Sequence, residues 1–264
     1  MATAVPATVP VLVTGASSGI GEEFARRFAA RGHHVTVVAR RGDRLDDIAG
    51  HLRGAHAVDV HVLTADLQTA KGRQTVSRVL REGGPWILVN NAGFGSRGRL
   101  IELEAQRERD EVQLNVVAVH ELALAALPGM IKAGAGGIIN VASTASFQPL
   151  PYMATYGATK AFVLSFTEAL AEELRGTGVR AMALCPGPVR TEFDTIAGVQ
   201  DYMELAKPMA MGTEKCVAAA LRAFDRGTTV CIPGAINAVL AQAPRLAPRI
   251  AVRKVSGQIF QPRG

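Results

Sequence analysis

Short apolar runs alternate with segments in which apolar positions recur every three or four residues, as far as about residue 232. The runs 9–13, 35–39, 60–64, 86–90, 137–142, 179–184 and 229–232 predict strands. Between them the spacing predicts helices over 19–31, 44–52, 106–132, 153–175 and 213–225, with Pro128 and Gly129 slowing the third. Strands that are apolar almost without interruption belong to a parallel sheet covered by helices on both faces. The alternation therefore predicts a doubly wound α/β fold, in which ligands bind beyond the carboxyl ends of the strands.

The segments that follow the strands are where the chemistry is expected. After the first strand comes Thr14-Gly15-Ala16-Ser17-Ser18-Gly19-Ile20-Gly21, opening a helix. Glycines there allow a tight turn and close approach to a pyrophosphate, and the helix N-terminus offers free N–H groups. The spacing is GxxxGxG rather than GxGxxG, but strand, loop and helix stand in the required order. The second strand ends in Ala39-Arg40-Arg41, without the acid that would bond an adenosine ribose and repel a 2′-phosphate. Arg40, Arg41 and Ser18 suit that phosphate, so NADP(H) is expected over NAD(H); the competing reading makes both arginines plain surface charges. Asp66 and Leu67 follow the third strand, where adenine is expected, and Asn90-Asn91-Ala92-Gly93 follows the fourth as a wall of the cleft.

Tyr156 and Lys160 are four residues apart on one helical face, Ser143 precedes Tyr156 by thirteen, and Asn115 lies inside a predicted helix despite its poor propensity. Together they suit hydride transfer between nicotinamide and a carbonyl or alcohol carbon. A tyrosine titrates at about 10, and an ammonium at about 4 Å supplies roughly the 4 kcal/mol that lowers it by about three units. Lys160 is thus expected to lower the Tyr156 pKa, Ser143 to hold the substrate oxygen, and Asn115 to anchor a proton-relaying water. A surface Tyr–Lys pair beside a random serine is the bland alternative, and its coincidence with the glycine loop argues against it.

Composition trims the alternatives. At 264 residues, 48% of them hydrophobic, the chain suits a single domain, 1–264, without disulfide staples. Cys185, Cys216 and Cys231 form neither a disulfide framework nor a zinc pattern, and five of the six histidines fall between His33 and His61 without a ligand set, so no metal is expected. The net charge of +6 is scattered, and aromatics are too sparse for a nucleic-acid surface. Neither a leader pattern nor an uninterrupted apolar run of membrane-spanning length is visible, which points to a cytoplasmic protein.

Over about residues 8–232 these motifs, in this order, resemble the short-chain dehydrogenase/reductase family, with a loose similarity to its ketoacyl-reductase-like and hydroxysteroid-dehydrogenase-like branches. The resemblance implies a Rossmann-type sheet of seven parallel strands in order 3-2-1-4-5-6-7. It implies Tyr156 as acid/base, Ser143 as orienting group, Lys160 also bonding the nicotinamide ribose, and Asn115 completing a tetrad. In the turn Pro186-Gly187-Pro188-Val189-Arg190-Thr191, the Val189 backbone and Thr191 hydroxyl would fix the carboxamide, and Arg40 falls at the NADP-selecting position. A homodimer or homotetramer is expected by the same analogy.

Residues 190–212 read as a substrate lid. Phe193, Ile196, Val199, Tyr202, Met203, Leu205, Met209 and Met211 there suit a hydrophobic ketone, aldehyde or 3-oxoacyl substrate. The tail 235–264 reads as lying beyond the core, broken at Pro244 and Pro248, with Arg245, Arg249 and Arg253 on one face. It is expected to pack on the core or a second subunit, with contact to an anionic membrane surface as the other reading. A non-catalytic NADP(H)-binding sensor is the rival for the whole chain, and the intact tetrad argues against it.

Overall fold

Leu12 points to one side of its strand while Val11 and Val13 point to the other, and all three are buried. That two-sided burial is what a helix-covered sheet requires of its strands. The computed structural model describes residues 5, 6 and 8–262. Its strands are β1 (Val11–Thr14), β2 (Val35–Ala39), β3 (Val60–Thr64), β4 (Ile87–Asn90), β5 (Gly137–Val141), β6 (Arg180–Leu184) and β7 (Val230–Cys231). They form one parallel sheet in the order β3-β2-β1-β4-β5-β6-β7, with Val13 opposite both Val37 and Val89. The fold expected from the sequence is the one found.

Helices α1 (Gly19–Ala30) and α2 (Gly42–Ala55) cover one face, burying Phe24, Phe28 and Leu45 against Val11, Val13 and Val37. The opposite face holds α3 (Ala70–Glu82), α4 (Ala105–Val112), α5 (Val119–Ala133) and α6 (Ala154–Glu173). Val76, Leu80, Leu122, Met130 and Leu170 pack there on Leu12, Leu88 and Ile138. The apolar spacing missed α3 because its sequence, AKGRQTVSRVLRE, carries few apolar positions; the Thr69 hydroxyl caps it by accepting the Gly72 N–H at 3.0 Å.

The long helix expected over 106–132 is not one regular element. Gln113–Ala118 forms a π turn between α4 and α5, whereas Pro128 sits inside α5 without ending it. The stretch Ala105–Ala133 is long and apolar enough, by length and composition alone, to cross a membrane, although charged residues such as Glu121 interrupt it. Its Leu122, Ala126 and Met130 are packed in the core instead.

Beyond β6 lie two short helices, α7 (Phe193–Ile196) and α8 (Gln200–Leu205), inside the expected lid, followed by α9 (Thr213–Asp225). The tail forms α10 (Ala235–Gln242) and α11 (Arg249–Phe260), with Pro244 and Pro248 in the break between them. Arginines tie lid and tail to the body. Arg97, in the loop after β4, donates to the Gly198, Phe260 and Gln261 carbonyls at 3.1, 2.8 and 2.9 Å and pairs with Asp201. Arg107 of α4 reaches the Ile196 carbonyl at 2.8 Å.

Candidate active site

The glycine loop is held from below by Asn91. Its Nδ2 donates to the Thr14 carbonyl at 2.9 Å and the Gly15 carbonyl at 3.2 Å, while the Asn91 and Ala92 N–H groups reach the Thr14 hydroxyl at 3.0 Å. Gly15 has φ of +64°, and a Cβ on Gly21 would stand 2.3 Å from the Gly15 carbonyl oxygen, so neither position tolerates a side chain. The main chain is thereby laid open along the start of α1, as a diphosphate requires. Above this loop opens a cavity of about 730 Å³.

Nearly every residue singled out in the sequence meets at this cavity. Gly15, Ser17, Ser18, Gly19, Ile20, Arg40, Arg41, Asp66, Leu67, Asn91, Ala92 and Gly93 line one end; Ser143, Tyr156, Lys160, Pro186, Gly187, Val189 and Thr191 line the other. Gly21 and Asn115 stand behind the wall. Of the two arginines, Arg41 joins the serines, donating to Ser17 Oγ at 2.9 Å and Ser18 Oγ at 3.0 Å. It also pairs with Glu192 at 2.8 Å, as does Arg44, and these two guanidinium groups hold the Glu192 carboxyl down at about 2. Arg40 lines the cavity beside them.

At the other end, Ser143 terminates β5 and accepts the Ala145 N–H at 3.1 Å. The Tyr156 side chain is half-buried in the cavity wall. Burial pushes it up to about 12, and its hydrogen bond with Ser143 pulls the other way. Lys160 Nζ donates to the Val141 carbonyl at 2.8 Å and lies 5.8 Å from the Tyr156 ring centre; burial lowers it to about 8. Desolvation is the largest influence on the phenol. Asn115 falls in the π turn. Its amide donates to the Phe94 carbonyl at 2.9 Å and Thr159 Oγ1 at 3.1 Å, and accepts the Phe94 N–H at 3.2 Å. Those contacts fix the orientation of the Asn115 side chain within the turn.

The tail packs on the body, one of the readings open in the sequence. Asn237, Leu240 and Ala241 of α10 and Ile259 and Phe260 of α11 line the cavity, so the tail is part of its wall. Asn237 is buried against Gly187, where a Cβ would come within 2.6 Å of it. Phe260 meets Tyr202 of the lid, ring centres 4.6 Å apart, and Phe193 covers Tyr156 at 5.4 Å. Of the eight apolar lid residues named from the sequence, seven line the cavity and Met211 packs on the core instead. Leu150 and Met153, just before α6, complete the apolar wall and carried no signal in the sequence beyond being apolar.

The family profile described as short chain dehydrogenase matches residues 10–199. A sulfoacetaldehyde reductase 2 from Chromohalobacter salexigens is 37% identical over 190 residues, 70% of this chain and 75% of its own. Among solved structures, a short-chain dehydrogenase from Sphingobium yanoikuyae in complex with NADPH superposes with a TM-score of 0.83 at 37% identity, covering 97% of this chain and 96% of that one. A bulky-bulky ketone specific alcohol dehydrogenase from Comamonas testosteroni does so with a TM-score of 0.78 at 35% identity, covering 98% of each chain.

Proposed function

The chain belongs to the short-chain dehydrogenase/reductase family, and from that premise we propose that it is an NADP(H)-dependent reductase of bulky, apolar ketones or aldehydes. One observation carries the substrate class: Tyr156 and Ser143 open into a chamber walled by Leu150, Met153, Phe193, Tyr202, Met203 and Phe260, contributed by three separate segments. Such a wall removes apolar surface from water on both sides of a carbonyl, at about 25 cal/mol per Å².

The residues present fit the cofactor. The opened glycine loop suits a diphosphate, Arg41 with Ser17 and Ser18 suits a 2′-phosphate, and the Val189–Thr191 turn lies at the nicotinamide end. When bound, NADPH supplies the hydride. The rest is done by the chain. Ser143 orients the carbonyl oxygen, and Tyr156, protonated at neutral pH with a pKa near 12, donates the proton that oxygen gains. Lys160 resupplies the phenol and steadies the anion it leaves. Phe193 and the lid exclude water above them.

The same proposal extends to assembly. Leu124, Ile131 and Phe162, exposed on α5 and α6, support a homo-oligomer. Ile236, Val239 and Leu240 form an exposed stripe on α10, near the basic residues Arg245 and Arg249, and support contact with an anionic lipid surface.

The testing experiment is NADPH consumption against a panel of diaryl, alkyl-aryl and small ketones, with the native chain and Tyr156→Phe. Turnover of the bulky members, lost about 10²- to 10⁴-fold in the variant with NADPH binding intact, is the expected result. NADPH binding without turnover of any member would leave a cofactor-binding protein and overturn the proposal.

A further inference from the structure

Four residues before Asn115, in the last turn of α4, stands a glutamate that the reaction as derived does not use. Glu111 has a relative exposure of 0%, and among the described residues neither of its carboxylate oxygens has a hydrogen-bond partner. A buried carboxyl so poorly partnered is costly to ionise, so its presence asks for a reason. Packing alone would be met by a leucine or methionine at this position.

The surroundings supply one. Along its own helix Glu111 has Arg107 and Glu108 as charged neighbours. From the loop after β4 comes Ser96, whose hydroxyl accepts the Arg107 Nε–H at 3.0 Å. From α6 come Thr155, whose hydroxyl donates to Glu108, then Tyr156, Thr159 and Lys160. Glu111 thus interacts electrostatically with Tyr156, Lys160, Arg107 and Glu108, while Asn115 seals the neighbouring turn through Thr159 and Phe94.

We propose that Glu111 is a positioning residue of the proton path: its carboxylate is the buried counter-charge that favours the protonated form of Lys160. This rests on the reductase reading above. In the step, Tyr156 gives its proton to the substrate oxygen, Lys160 returns one to the phenolate, and the neutral amine regains one from solvent, favoured by the Glu111 charge. One proton moves at each transfer, with no change of oxidation state.

The electrostatics agree in direction. Burial, then the charge of Glu108, pushes Glu111 up to about 7, against the pull of Ser96, Lys160 and Arg107, so it exchanges its proton near neutrality. Its negative charge raises Lys160, opposing the loss caused by burial, and also raises Tyr156. Removing that charge at constant shape lowers both. The acid needed for ketone reduction is then lost at a lower pH.

The test is the pH profile of kcat/KM for ketone reduction by the native chain, Glu111→Gln and Glu111→Asp, with NADPH affinity measured in parallel. Glu111→Gln is expected to move the alkaline fall downward by about one pH unit, a roughly tenfold loss above the limb, with NADPH affinity unchanged; Glu111→Asp should restore most of it. A uniform loss at every pH, or a limb that does not move, would overturn the proposal as a merely structural effect. A second measurement separates its failure from failure of the reductase reading. The infrared carbonyl stretch of a protonated carboxyl should titrate near neutrality in the native chain and be missing from Glu111→Gln, whether or not any ketone turns over. Its presence in both proteins would refute the assignment.

Discussion

Arg41 sits where charge selects between two cofactors that differ by one phosphate, and replacing it with methionine tests the site's logic. In the structure its guanidinium is shared among Ser17, Ser18 and Glu192. A 2′-phosphate would take it in charge-assisted hydrogen bonds, together about 1.5–3 kcal/mol. The Arg41–Glu192 pair must be surrendered in exchange, and with both side chains about two-fifths exposed it contributes only about 0–1 kcal/mol. The difference, about 0.5–3 kcal/mol, predicts that Arg41→Met weakens NADPH by about 2- to 150-fold. NADH, which lacks the phosphate, should change by less than about twofold on the same argument. Glu192→Gln removes the competitor and should tighten NADPH by up to about fivefold while leaving NADH alone. Fluorescence titration of both reduced cofactors, at low and high ionic strength, measures all of these, and the NADPH preference of the native chain should shrink as salt rises. Equal weakening of NADPH and NADH by Arg41→Met would refute the reasoning, since the residue would then act on the shape of the loop rather than on the phosphate.

Other outcomes follow from named contacts. Arg97→Ala should loosen α8 and the end of α11 together, because one buried guanidinium serves Asp201 and three carbonyls. Discounted for the partial exposure of Asp201, the loss is about 2 kcal/mol, read as faster amide exchange over 193–206 and 249–260 and a raised KM for bulky ketones; unchanged exchange there would rule out the tie. His33 is buried with its Nδ1 2.8 Å from the Val9 carbonyl, and burial lowers its pKa. The unfolded chain therefore binds the proton first as pH falls. Stability should be full above about 6.5 and decline below it, and denaturant midpoints between pH 7 and 5 should slope less in His33→Gln.

Much of this molecule is written locally. The strand runs, the glycine loop, Arg40 and Arg41 at the end of β2, and Tyr156 one turn before Lys160 are readable because each depends on residues close in sequence. The sheet order follows from such units, since right-handed crossovers leave few ways to join them. The roles of those residues were expected on chemical grounds, and the fold brings all but Gly21 and Asn115 to the cavity surface, those two standing just behind it.

What the tertiary structure decided depends on distance and solvent. Asn237, Leu240 and Phe260 reach the cavity only because α10 and α11 fold back over it, more than seventy residues after Tyr156. Arg97 is one arginine among many until Asp201 and the Phe260 carbonyl arrive around it. The upward direction of the Tyr156 pKa comes first from burial, which a sequence does not show. Glu111 was invisible for the same reason: a glutamate on a polar helix reads as a solvated charge, and only packing against the loop after β4 and α6 makes it a buried one. Local spacing is encoded residue by residue, whereas desolvation and contacts between distant segments belong to the folded chain as a whole.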